Sequence, residues 1–81
     1  MKISVDISMY PMNKNYEEPI IKFINKLKKS PFTILENPLS TQVYGDYDDV
    51  MDFIKTAMKD TFLTEEMCVF TMKFIKGDRT L

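Results

Sequence analysis

The stretch Ile3-Ser-Val-Asp-Ile-Ser-Met-Tyr-Pro11 alternates strictly between apolar and polar side chains. A period of two belongs to a β-strand with one dry face, which turns Ile3, Val5, Ile7 and Met9 toward a core. The other face carries Ser4, Asp6, Ser8 and Tyr10, a row of hydrogen-bonding groups that ends where Pro11 stops the strand. Ser40-Thr-Gln-Val-Tyr44 forms a second polar row in mid-chain. The fold turns on how the segments between them place these two rows.

Met12-Asn-Lys-Asn15 reads as a polar connection to a helix that starts near Tyr16, with Pro19 in its first turn, where a missing N–H has no intrahelical partner to lose. Ile20, Phe23, Ile24 and Leu27 then recur at helical spacing as one apolar stripe, while Lys22, Asn25, Lys26 and Lys29 face away. Ser30-Pro31 breaks this helix. Phe32-Thr-Ile-Leu35 has the content of a short strand, and Glu36-Asn-Pro-Leu39 that of a hairpin tip. Thr41–Tyr44 is the third strand. Gly45-Asp46 ends it and opens a second helix, with Asp46 as N-cap and Asp49 at the third helical position. Val50, Phe53, Ile54, Ala57 and Met58 set that helix's apolar face. Leu63-Thr-Glu-Glu66 leads to a last strand, Met67–Ile75, with Cys68, Phe70, Met72 and Phe74 on one face and Val69, Thr71 and Lys73 on the other. Residues 77–81 read as a frayed tail.

The order β-α-β-β-α-β predicts one α+β domain over residues 1–81, a ferredoxin-like sandwich. Two right-handed crossovers put both helices on one face of a four-stranded antiparallel sheet of order 4-1-3-2. The bare face then carries Ser4, Asp6, Ser8, Gln42, Tyr44, Thr71 and Lys73. Such a face is either wet or a mixed polar and aromatic dimer interface. The interface reading is favoured by size, because 81 residues bury only about 60–65 per cent of their unfolded surface, and 44 per cent hydrophobic content with seven Met is generous for a lone domain.

A net charge of −1 supplies no basic surface for nucleic acid or an acidic membrane, and no segment approaches the ~20 apolar residues of a membrane span. The one cysteine, Cys68, lies in a hydrophobic run and reads as a core residue in a reducing, cytoplasmic setting. With no His, no glycine-rich phosphate loop and no metal-ligand spacing, the expectation is no enzyme, no metal and no cofactor. Asp46, Asp48 and Asp49 could suggest a cation cluster, but a helix N-terminus is where carboxylates cap.

Antiparallel pairing sets the end of the first strand, Ser8–Pro11, beside the start of the third, Ser40 and Thr41, and of the fourth. The hairpin tip at Asn37-Pro38, the first helix near Tyr16 and the end of the second near Phe62 should meet there too. Thr41 shares the phase of Val43 and so faces the helices, where its hydroxyl needs a backbone carbonyl, a water or a ligand.

Ile7-Ser-Met-Tyr-Pro11, Tyr16 with Pro19-Ile20, Ser40-Thr41 and Gly45-Asp-Tyr-Asp-Asp-Val-Met51 together resemble the pattern of the YkoF-related thiamine-binding protein family. The resemblance spans nearly the whole chain. It implies a ferredoxin-like domain that assembles into dimers or tetramers and binds thiamine or its hydroxymethylpyrimidine moiety without chemistry. Some members of that family carry two such domains in tandem, whereas this chain has one. The expected ligand-binding residues are Ser8, Ser40, Thr41 and Gln42, which can pair with an aminopyrimidine edge, Tyr10 and Met9, which can pack on its ring, and Asp6, which with Glu36, Glu65 or Glu66 would favour a thiazolium cation. The alternative is a regulatory or structural oligomerisation module that binds a different small metabolite or none.

Overall fold

β1 (Lys2–Pro11) is an inner strand of a four-stranded antiparallel sheet of order β2-β3-β1-β4, flanked by β3 (Thr41–Asp46) and β4 (Cys68–Lys76), with β2 (Thr33–Glu36) beyond β3. The computed structural model describes residues 1–80, and α1 (Glu17–Lys28) and α2 (Tyr47–Thr64) complete the β-α-β-β-α-β order of a ferredoxin-like sandwich. The expected strand order is this one read from the other edge. No helix among the described residues is long and apolar enough to cross a membrane.

The alternation in β1 sorts its side chains as expected, with Ile3, Val5 and Ile7 all buried and Met9 packed against the same core. Val43 from β3, Phe23 and Leu27 from α1, and Val50, Ile54 and Ala57 from α2 complete that core. Phe70 of β4 ties the layers together, its ring 5.1 Å from that of Phe23 on α1 and 5.6 Å from that of Phe62 on α2. Phe74 shares its phase but is half exposed, because it lies on an edge strand. Thr61, outside the predicted stripe, is buried on α2, where its hydroxyl donates to the Ala57 carbonyl one turn back at 3.1 Å.

Three expectations need correction. Gly45 does not end the third strand; it pairs with Ile3 inside β3, which runs on to Asp46. Glycine is required there by close approach, since a Cβ would lie 2.7 Å from Cδ1 of Phe32 and 3.0 Å from Cγ2 of Val50. Asp46 occupies the N-cap position of α2, yet its side chain makes no capping bond and instead pairs with Lys2 at 3.1 Å, leaving Asp48 and Asp49 to meet the helix dipole. The described part of the tail is tied down: the Gly77 N–H donates to the Lys2 carbonyl at 2.9 Å, and the Ser4 hydroxyl donates to the Gly77 carbonyl at 2.7 Å and accepts from the Arg79 N–H at 2.9 Å. Gly77 makes the turn with φ of +93°. Ser4, expected on the bare face, is therefore buried beneath the tail. Leu81 lies outside the described residues.

One asymmetry shapes the site. On its β4 side β1 is paired from Ile3 through Pro11, but on its β3 side pairing stops at Ile7, opposite Thr41. The β2–β3 hairpin turns back there. Beyond Ile7 the β1 edge therefore has no partner strand and a notch opens at that end of the sheet.

Candidate functional site

The notch is a cavity of about 160 Å³. Its floor is Ile7, Ser8 and Met9 of β1 with Thr41 of β3, one wall is Ile20, Phe23 and Ile24 of α1, and the other is the hairpin tip from Glu36 to Ser40. The stripe of α1 is thus divided. Phe23 and Leu27 seal the core, while Ile20 and Ile24 stay half exposed along the cavity, giving it an apolar side.

Thr41 is its most informative residue. It is 94 per cent buried, being 6 per cent exposed, and among the described residues its side chain makes no hydrogen bond, yet no fully sealed polar atom is left without a partner. The hydroxyl therefore meets solvent through the cavity it lines, poised to donate and accept there. The backbone carbonyl considered as its partner is not the one it uses.

Of the expected binding residues, Ser8, Met9, Ser40 and Thr41 line this cavity together. Asp6, Gln42 and Tyr10 do not. Asp6 and Gln42 face each other across the β1–β3 ladder on the sheet surface away from the helices, and Tyr10 lies opposite Val69 of β4, half exposed. Glu36 does line the cavity, but its carboxylate is held by Lys28 at 2.9 Å. Glu65 belongs to a different hollow, where it accepts a hydrogen bond from Asn13 at 3.0 Å. Neither Tyr16 nor Phe62 reaches the cavity; α1 contributes from one to two turns farther along. Sequence reasoning missed Ile20, Ile24 and Leu39 as lining residues. The two isoleucines look like core at helical spacing, and only the shortened β3 edge reveals that they are left uncovered.

A polar network lies directly behind the cavity. Gln42 Nε2 donates to Asp6 Oδ1 at 2.7 Å and to Ser40 Oγ at 2.8 Å, and Gln42 Oε1 accepts from Asn37 Nδ2 at 3.3 Å. The hydrogen bond from Gln42, then that from Ser40, holds the Asp6 carboxyl below the ordinary carboxylate value of 3.8, against the opposing effect of desolvation and with a further contribution from Lys73. A depressed carboxylate stabilises the fold above its unfolded-state value, and that contribution disappears as pH falls through the folded-state value. In denaturant titrations the stability gap between wild type and Asp6→Asn should therefore be constant at neutral pH and close on acidification below 3.8. A gap that persisted unchanged in acid would show that the charge of Asp6 is not what matters.

At the same end of the sheet, burial and the nearby Glu65 carboxylate push the Cys68 thiol up, partly offset by a backbone hydrogen bond from Tyr10, so the thiol keeps its proton at neutral pH.

The family model described as thiamine-binding protein matches residues 5–76, which takes in both helices, every strand but the first three residues of β1, and the whole cavity. The chain belongs to the thiamine-binding protein family. Among solved structures this family member is similar to a protein from Streptococcus pneumoniae, with a TM-score of 0.88 at 21 per cent identity over 98 per cent of this chain and 90 per cent of the other. It is also similar to a Thermotoga maritima protein named for a proposed role in thiamine biosynthesis or salvage, with a TM-score of 0.85 at 20 per cent identity, covering 95 and 85 per cent of the two chains. A protein from Methanocaldococcus jannascii superposes with a TM-score of 0.79 at 20 per cent identity, covering 99 and 84 per cent. At these identities the superpositions show the shared fold. No functionally curated protein matches the chain.

Proposed function

We propose that this protein binds thiamine through its hydroxymethylpyrimidine ring, or free hydroxymethylpyrimidine, in the notch beside β1, and releases it unchanged. The observation that carries this reading is the nearly buried, unpartnered hydroxyl of Thr41 opening into a cavity with one apolar wall and one polar one. Pockets for drug-sized ligands run to ~300–1,000 Å³, so a cavity of about 160 Å³ suits a single ring. A flat aminopyrimidine can lay one face on Ile20 and Ile24 and turn its nitrogen-bearing edge to Thr41 and the Ser40 end of the hairpin tip. The thiazolium of intact thiamine would then remain at the mouth.

Carriage, sequestration or sensing fits the chemistry better than turnover. The hydroxyls at the site have no histidine anywhere in the chain to act as their base. Asp6, in the polar network behind the cavity, is committed as an acceptor to Gln42 and held in its weakly basic form. The bare sheet face, with half-exposed Tyr10, Leu35, Val69 and Ile75 around the polar pairs at its centre, supports assembly of the cytoplasmic protein as a homo-dimer or homo-tetramer.

Calorimetry tests the central point. Thiamine and hydroxymethylpyrimidine should each give saturable binding, and Thr41→Val, of nearly the same shape, should weaken it by about tenfold or more, because a ligand nitrogen then loses its partner in a partly dry site. Sedimentation should show unchanged assembly in the variant. Absence of heat with either compound on a folded wild-type oligomer would reject this reading in favour of a module that serves assembly alone.

A further inference from the structure

We infer that Asp6 and Gln42 act as positioning residues for the cavity wall, the charge on Asp6 fixing through Gln42 and Asn37 the conformation of the hairpin tip; the effect on affinity rests on the binding reading above. From Asn37 to Ser40 the tip is a wall that no helix or strand provides. Asn37, Pro38 and Leu39 are all exposed, Leu39 at 88 per cent, so no core packing holds them. What holds them is polar. Asn37 Oδ1 accepts the backbone N–H groups of Leu39 and Ser40, each at 3.0 Å, and the Asn37 N–H donates to the Ser40 carbonyl at 3.1 Å. The Ser8 hydroxyl adds a long bond of 3.4 Å to the Leu39 carbonyl.

Directionality comes from the carboxylate. A carboxylate only accepts, so it admits one orientation of the Gln42 amide, nitrogen toward Asp6 and oxygen away. That oxygen then faces Asn37 and selects the amide orientation that offers it Nδ2. Asn37 Oδ1 is in consequence left toward the N–H groups of Leu39 and Ser40. Reversing either amide would set oxygen against oxygen or N–H against N–H. A charge on the outer face of β1 thus determines where the wall stands, although Asp6 does not line the cavity.

The test reverses the polarity of the relay. Gln42→Glu sets two carboxylates face to face, whereas the double variant Asp6→Asn with Gln42→Glu lets the new amide donate to the new carboxylate, which can still accept from Asn37 and can now accept from the Ser40 hydroxyl, the reverse of the wild-type bond. Two quantities are read at pH 8: amide exchange at Leu39 and Ser40 by NMR, and calorimetric affinity for thiamine and for hydroxymethylpyrimidine. The single variant should accelerate exchange at those two amides and weaken binding, each by about tenfold, the scale of a hydrogen bond to a charged group. The double variant should bring both back to within about threefold of wild type. Unchanged exchange in the single variant, or no recovery in the double, overturns the inference. So does recovered exchange without recovered affinity, which would make Asp6 a direct ligand contact. If the wild type binds neither compound, the binding reading fails by itself and the exchange measurements still decide the clamp.

Discussion

Replacing Leu27 by alanine is expected to cost 2–5 kcal/mol of folding stability, toward the upper end of that range. Leu27 is fully buried and lies in the single apolar cluster that α1, α2 and the sheet share. The truncation removes the transfer free energy of the lost methyl-bearing carbons and leaves a hole that three packed layers can close only in part. Phe53→Ala supplies the contrast. Its ring meets that of Phe32 edge-on at a centroid distance of 5.5 Å but is only half buried, so water can fill the space and the loss should fall below that of Leu27. Denaturant midpoints at constant slope give both numbers. Equal losses would mean that burial does not rank these two sites.

Gly45→Val should destabilise by about 1–3 kcal/mol or more, although valine is a good strand former. Propensity favours the substitution and packing forbids it. The first carbon of any side chain would already lie 2.7 Å from the Phe32 ring and 3.0 Å from Val50, and two further methyl groups have nowhere to go. Because the Phe32 ring also meets that of Phe53 edge-on, the displacement would spread to α2. Phe32→Ala in the Gly45→Val background should recover part of the loss by making room, a coupling that a double-mutant cycle measures. A cycle with no coupling would locate the clash elsewhere.

Much of this architecture is legible in the residues because local signals agree with one another. The period-two run at the start, the helical stripe from Ile20 to Leu27 and the apolar spacing of Val50, Ile54 and Ala57 each point to one element, and the alternation of strands and helices then leaves few topologies. Register was harder to read. The sequence puts Ser40 and Thr41 near Ser8, and Asp6 and Gln42 on the bare face, but that these last two stand directly opposite each other and bond there, outside the cavity, follows only from the register. Ser4 shows the same limit. Its alternation predicts an outward side chain, correctly, and says nothing about a tail that returns from residue 77 to cover it. Strand-end geometry was least legible of all, since a difference of a few residues between the two neighbours of β1 creates the opening, and composition carries no trace of such a difference.

The hydrogen bond between Gly77 and Lys2 bears on how such domains can be joined. It brings the two ends of the ordered strands to one margin of the molecule, while the opening beside Ser8 lies at the opposite margin. A second copy fused head to tail would need only a short linker, attached at the margin away from the opening, so gene duplication can produce a tandem protein from this domain without rebuilding its recognition surface.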